Sequence, residues 1–173
     1  MAHKYKGVVS EYRATEDETT RYLIRTAGDN PLICLGLNPS KANKINSDQT
    51  ICRVEEYAKR NNYDSIAMLN LYPLRSTNPD NLPLEKNESI YIKNIEGIKN
   101  FLKSLMNRDI LVATGGDVRK RLYLHEALKE LISFGNDCGV KWLCIGLTAD
   151  KYPRHPSRGV YREFELFNPE SLL

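Results

Sequence analysis

The chain has 173 residues, of which 41% are hydrophobic and 27% charged, a balance that excludes disordered and collagen-like polymers and suits one domain. No apolar run approaches the roughly 18 residues of a membrane span, and Met1 to Lys6 lack the apolar stretch of a signal peptide, so a cytoplasmic protein with no membrane partner is expected. Lys and Arg outnumber Asp and Glu by 25 to 22, an excess too mild to name a polyanionic partner, so the distribution of charge must decide.

The first 28 residues read as an N-terminal β-hairpin. Tyr5, Val8, Val9 and Tyr12, then Tyr22, Leu23 and Ile24, flank the polar stretch Thr15 to Glu18. From Pro31 onward strands alternate with helices. Leu32 to Leu35 form a short continuous apolar run, the mark of a strand covered on both faces, and it stops at Gly36. Ser47 or Asp48 caps a helix that carries Ile51, Val54 and Ala58 on one face, and Asn61-Asn62 ends it.

Ser65 to Leu69 make a second buried strand, closing at Asn70. Pro73, Pro79 and Pro83 then hold a long loop. Asn87 caps a helix with Ile95, Ile98, Leu102 and Leu105 at helical spacing. Asp109 to Ala113 form a third strand that runs into Gly115-Gly116. Asp117 opens a further helix with Val118, Leu122, Leu128 and Ile132 inward, and Val140 to Ile145 make a fourth strand, ending at Gly146.

This order predicts a single α/β domain over 1–173. Its expected form is a three-layer α/β/α sandwich around a central, mostly parallel four-stranded sheet, with the hairpin as an addition. Of the four cysteines, Cys34 and Cys144 sit in apolar runs, and Cys52 and Cys138 are too far from other ligands for zinc. No metal and no cofactor is expected.

Open parallel sheets bind ligands beyond the carboxyl ends of their strands. That rule selects Gly36 to Ser40, Asn70 to Tyr72, Thr114 to Gly116, and Gly146 onward through Asp150 to Gly159. The dinucleotide, P-loop and nucleophile-elbow patterns are all missing after the strands. Instead two proline-stiffened loops present polar side chains, Asn38-Pro39-Ser40 and His155-Pro156-Ser157. Each alone is an ordinary turn. Their shared position at the ends of the first and last buried strands makes them candidates for one site.

With these residues the sequence resembles the uracil-DNA glycosylase superfamily, whose members carry G-x-[DN]-P after the first strand and H-P-S near the C-terminus. Here these are Gly36-Leu37-Asn38-Pro39 and His155-Pro156-Ser157. It is similar, more closely, to an uncharacterised bacterial and phage family that looks like a distant branch of that superfamily. That family's signature reads L-N-P-S-x-A, D-x-T-x-x-R, N-L-x-x-L-R-x-T-x-P and G-L-T-x-D-x-x-P-R-H-P. The chain has Leu37 to Ala42, Asp48 with Thr50 and Arg53, Asn70-Leu71 with Leu74-Arg75, Thr77 and Pro79, and Gly146 to Pro156.

The resemblance implies that Asn38 places a water and that His155 donates a hydrogen bond to the departing base, the two catalytic roles. It implies further that Asn70 recognises the base, that Gly115 belongs to a ligand-facing turn, and that Tyr72 receives a base swung out of its stack. Gly36, Leu37, Pro39, Ser40, Asp48, Thr50, Arg53, Pro156 and Ser157 are candidate substrate-binding residues on the same ground. Arg75, in a loop facing the same crevice, is a candidate phosphate contact or a surface ion pair. Three departures stand out. Asn38 replaces the carboxylate of the fastest relatives, Ser40 stands where Gly or Tyr is common, and Gly159 lies where a wedge residue would be, with only Arg158 beside it as a substitute.

Lys151, Arg154, Arg158 and Arg162, interleaved with Tyr152, His155 and Tyr161 and free of acidic residues, form a strip suited to phosphate contact and stacking. Arg119-Lys120-Arg121 either extends it or forms a solvated face. The expected function is an N-glycosylase acting on a damaged, mismatched or modified pyrimidine in DNA. The alternatives are a non-catalytic binder of a nucleotide or modified base, and a hydrolase or transferase acting on a free nucleoside or nucleotide.

Overall fold

A computed structural model of the chain describes residues 3–157 and 159–172. Seven strands form one sheet: β1 (Val9–Ala14), β2 (Arg21–Thr26), β3 (Pro31–Gly36), β4 (Ser65–Asn70), β5 (Asp109–Val112), β6 (Lys141–Cys144) and β7 (Glu165–Leu166). Their spatial order is β1-β2-β4-β3-β5-β6-β7. The helices are α1 (Gln49–Arg60), α2 (Glu88–Lys103) and α3 (Leu122–Asp137), with shorter 3-10 turns at Pro79–Asn81, Gly116–Lys120 and Pro169–Leu172.

This corrects the expected sheet. The chain does not build a four-stranded, mostly parallel sheet with a hairpin beside it. It builds one mixed seven-stranded sheet, with β4, β3, β5 and β6 paired in parallel and β1–β2, β2–β4 and β6–β7 antiparallel. The hairpin itself is present. Its second strand is nearly as buried as the strands beyond it, which is why β2 joins the sheet through Ile24 opposite Met68 and Arg25 opposite Ala67. β7 is a two-residue strand whose residues are both exposed, too short for alternation to reveal.

Helices cover both faces. Ile51, Val54, Tyr57 and Ala58 of α1 pack with Leu32, Cys34, Ile66 and Met68 on one face. Ile95, Ile98 and Leu102 of α2 and Leu124, Leu128 and Leu131 of α3 pack with Ile33, Leu35, Leu69 and Val112 on the other. From β3 the chain crosses through α1 to β4 on one side. From β4 it crosses back through α2 to β5 on the far side of β3, so the crossover direction reverses around β3.

Asp48 caps α1 by accepting from the Ile51 N–H at 2.9 Å, and Asn87 caps α2 by accepting from Ile90 at 3.3 Å. Asp117 does not open α3. It lies in the 3-10 turn before it, and Leu122, expected inward, is exposed on the first turn of α3. No helix among the described residues is long and apolar enough to cross a membrane. All four cysteines are free thiols, and burial pushes that of Cys34 up to about 12.

Candidate functional site

The carboxyl ends of β3, β4 and β5 open into a cleft of about 1060 Å3. One wall is built by backbone pairing that continues past the strands. Leu71 N–H donates to Gly36 O at 3.0 Å, Tyr72 N–H to Leu37 O at 3.1 Å, and Ser76 N–H to Pro39 O at 2.9 Å. Asn38 locks this seam. Its side-chain NH2 donates to Pro39 O at 3.0 Å, Ser76 O at 2.9 Å and Leu74 O at 3.4 Å. Only an amide supplies donors at that position, so Asn38 is a structural clasp as well as a residue lining the cleft.

The opposite side comes from the last loop, which folds back on β6. Thr148 N–H donates to Tyr152 O at 2.8 Å and Arg154 N–H to Gly146 O at 3.0 Å, which brings Arg154 and His155 to the cleft. Gln49, at the start of α1, reaches Ser157 O at 3.5 Å across 108 residues of chain. The two proline-stiffened loops therefore share one cleft, with Asn38 and His155 both lining it.

His155 Nδ1 meets Ser157 Oγ at 2.7 Å and the Ser157 N–H at 3.3 Å. A backbone N–H can only donate, so Nδ1 is an acceptor and the neutral ring carries its proton on Nε2. The His-Pro-Ser turn thus sets the tautomer that offers a hydrogen-bond donor.

On the cleft floor lies Asn70, buried at the end of β4. A Cβ on Gly36 would stand 2.8 Å from Asn70 Oδ1, so glycine is what lets this amide lie against the end of β3. Asn70 Nδ2 has no partner, nor does Thr114 Oγ1 just past the end of β5, across β3 from it. Buried polar atoms without partners are uncommon and ask for an explanation, such as a ligand that completes them. Gly115, whose φ of 65° favours glycine, turns the chain along the rim.

Of the expected site residues, Gly36, Leu37, Asn38, Ser40, Asp48 and Thr50 line the cleft, as do Asn70, Gly115, Arg154, His155 and Ser157. Five lie outside its lining. Tyr72 is fully buried, accepts from Asn87 N–H at 2.9 Å and packs on Tyr123 at 4.8 Å, so it is part of the core and no platform for a base. Arg75 forms the ion-pair alternative, with Glu18 at 2.6 Å, and donates to Ala42 O at 2.8 Å, Ser40 O at 3.1 Å and Tyr12, while its Nε has no partner. Arg53 pairs with Glu56 on its own helix at 3.1 Å. Pro39 and Pro156 are buried and shape their turns. Arg158 lies outside the described residues.

The basic strip is also partly engaged. Tyr161 stacks on Tyr57 at 4.8 Å with Arg60 at 4.2 Å from its ring, and Tyr152 sits under Arg119 at 4.8 Å. In the triplet, Arg119 pairs with Asp150 at 3.0 Å and Lys120 with Asp80 at 2.7 Å, while Arg121 donates to Leu82 O at 2.7 Å. Among the described residues the two histidines, His3 and His155, are the only aromatic side chains lining the cleft.

Sequence reasoning selected Thr114 with the turn after β5 but gave it no role, and it missed Arg21. Arg21 opens β2, is 2% exposed and lines the cleft. Burial lowers its pKa to about 10, against the raising influence of Asp48. The available signal was a lone cation heading the apolar run Tyr22-Leu23-Ile24.

No curated protein and no solved structure matches the chain. Residues 21–157 match the model of a family described as a protein of unknown function (DUF1643), a stretch that begins at Arg21 and ends at Ser157, both of which line the cleft. Since that stretch spans more than half of the 173 residues, the chain belongs to the DUF1643 family.

Proposed function

We propose that the cleft binds a pyrimidine nucleoside unit and that the chain hydrolyses its base–sugar bond. What carries this reading is the pairing of Asn70, whose buried Nδ2 has no partner, with a His155 ring whose neutral form is protonated at Nε2. The amide offers the donor and acceptor that a pyrimidine edge requires. The imidazole N–H stabilises negative charge building on a base oxygen as the bond to C1′ breaks. Water supplies the oxygen that bonds to C1′, and the base departs with the bonding pair and takes a proton. The Asn38 NH2 is occupied, so its remaining acceptor oxygen is the atom suited to orienting that water.

A free nucleoside or nucleotide fits better than a base flipped from DNA. The tyrosines that would stack on a flipped base or on neighbouring bases are Tyr72, Tyr152 and Tyr161, and each packs against a partner in the chain itself.

The test is base release, followed chromatographically, from deoxyuridine, deoxyuridine monophosphate, and uracil- or mismatch-containing duplexes. We expect release from the free compounds, falling by about 10²–10³ in His155→Ala, the usual cost of losing one charge-stabilising donor. Release from duplex alone would replace the free-nucleotide reading with the DNA one. Turnover unchanged in His155→Ala would overturn the assignment of the site.

A further inference from the structure

Arg21 has no place in the chemistry above, yet it is among the largest side chains in the fold that are fully buried. Its Nη1 donates to Ala42 O at 3.1 Å and its Nε has no partner. Among the described residues no carboxylate forms an ion pair with it. Arg75, a second guanidinium, reaches the same Ala42 carbonyl at 2.8 Å and takes Glu18 for itself. Asp48 is the nearest candidate counter-charge, but both its oxygens are engaged with backbone N–H groups. One accepts from Ile51 as the cap of α1 at 2.9 Å, the other from Ala42 at 3.3 Å. The cleft therefore holds a guanidinium out of water whose charge is balanced by Asp48 without a direct ion pair and whose Nε is left unsatisfied, an arrangement that costs stability unless a ligand completes it.

The same relay, Arg21 to Ala42 to Asp48 to Ile51, sets the guanidinium beside the amino end of the twelve-residue α1. The first turn of that helix has no acidic residue, and Gln49 and Thr50 from it line the cleft. A helix amino terminus attracts anions by its unpaired N–H groups and dipole. Here the Asp48 carboxylate already caps it at the Ile51 N–H, and a buried cation backs it.

We propose that this corner is a phosphate subsite, and that the natural ligand is a nucleoside carrying a terminal phosphomonoester held by Arg21 and the start of α1. This deepens the nucleoside reading by naming the group that anchors the substrate. The position on the cleft floor favours a compact terminal phosphate of a free nucleotide over the phosphodiester backbone of a polymer.

The experiment titrates the whole chain with inorganic phosphate, deoxyuridine, its 5′-monophosphate, and an oligonucleotide without terminal phosphates. Binding is followed by calorimetry and by the arginine Nε–Hε resonances. Inorganic phosphate should shift the Arg21 resonance saturably. The monophosphate should bind at least about tenfold more tightly than the nucleoside, the worth of one charge-assisted hydrogen bond. Arg21→Lys, which keeps the charge but loses the planar fork, should erase most of that preference. Arg21→Met should erase all of it. Should Arg21→Met fail to fold, Arg21→Lys and the wild-type resonance decide.

No phosphate-dependent shift at Arg21, an equal affinity for nucleoside and monophosphate, tighter binding of the oligonucleotide, or an unchanged preference in Arg21→Lys would each overturn the subsite. Base release is scored separately. Release without phosphate preference sinks the subsite alone, and phosphate preference without release sinks the hydrolase reading alone.

Discussion

A carboxylate at position 38 is the obvious way to give the cleft a general base, and Asn38→Asp is the obvious attempt to raise turnover. The geometry argues the reverse. The wild-type amide donates to three main-chain oxygens at 2.9–3.4 Å, and an ionised carboxylate turns each contact into one acceptor facing another. Lost hydrogen bonds together with stranded carbonyls in this half-buried seam should cost about 2–4 kcal/mol, or a fall in Tm of roughly 5–15 °C for a chain of this size.

The deficit should depend on pH with a definite sign. The surrounding carbonyls disfavour the charged form, so the folded pKa of the new Asp lies above its unfolded value. Its neutral form, able to donate one hydrogen bond, is favoured below the unfolded pKa, and that support is lost as pH rises through the folded one. Thermal unfolding of Asn38→Asp and wild type between pH 4 and 8 should therefore show a gap that widens upward. Equal stability at pH 7.5, or a gap widest at pH 4, would refute the clasp.

Other outcomes follow from the same contacts. Asp48→Ala should cost about 1 kcal/mol through the lost cap of α1 and should loosen Ala42 as well, seen as a lower denaturation midpoint. Tyr72→Phe should weaken stability by about 1 kcal/mol through the lost contact with Asn87 and leave ligand affinity unchanged, which calorimetry would check. Glu55 is buried with a raised pKa from desolvation, and its Oε1 accepts from the N–H groups of Lys6 and Gly7. A raised folded pKa means its support is whole below the unfolded value and is lost as pH rises. Glu55→Gln should therefore match or exceed wild-type stability at pH 7.5, with the difference shrinking toward pH 4.

What the sequence disclosed was governed by locality. The ends of β3 and β6 are visible as apolar runs stopping at Gly36 and Gly146, and the proline after Asn38 and after His155 marks each loop, so both loops were assigned to one rim. Tyr72 was misread because its direction is set by pairing between two loops, Tyr72 N–H to Leu37 O, which turns the ring beneath Tyr123. Arg75 looked like a ligand contact for the same reason, since its partners Glu18 and Tyr12 lie across the hairpin turn, far away in the chain. Arg21 escaped notice because a charge at the start of a strand is ordinarily solvated. Pairing of the start of β2 with the loop after β4, Arg21 N–H to Pro73 O at 2.9 Å and Thr20 opposite Leu74, carries it inside. The hairpin was legible, but that it supplies part of the cleft was not.

The seam between 36–39 and 71–76 has a bearing on how this protein can diversify. A jaw made of continued strand pairing is as stiff as the sheet from which it grows, so little ordering entropy is surrendered there when a ligand arrives. Adaptation to a new guest must then fall on the facing jaw, the fold-back from Gly146 to Ser157 and the crossover ahead of α1. Those stretches can exchange side chains without disturbing a single rung of the ladder.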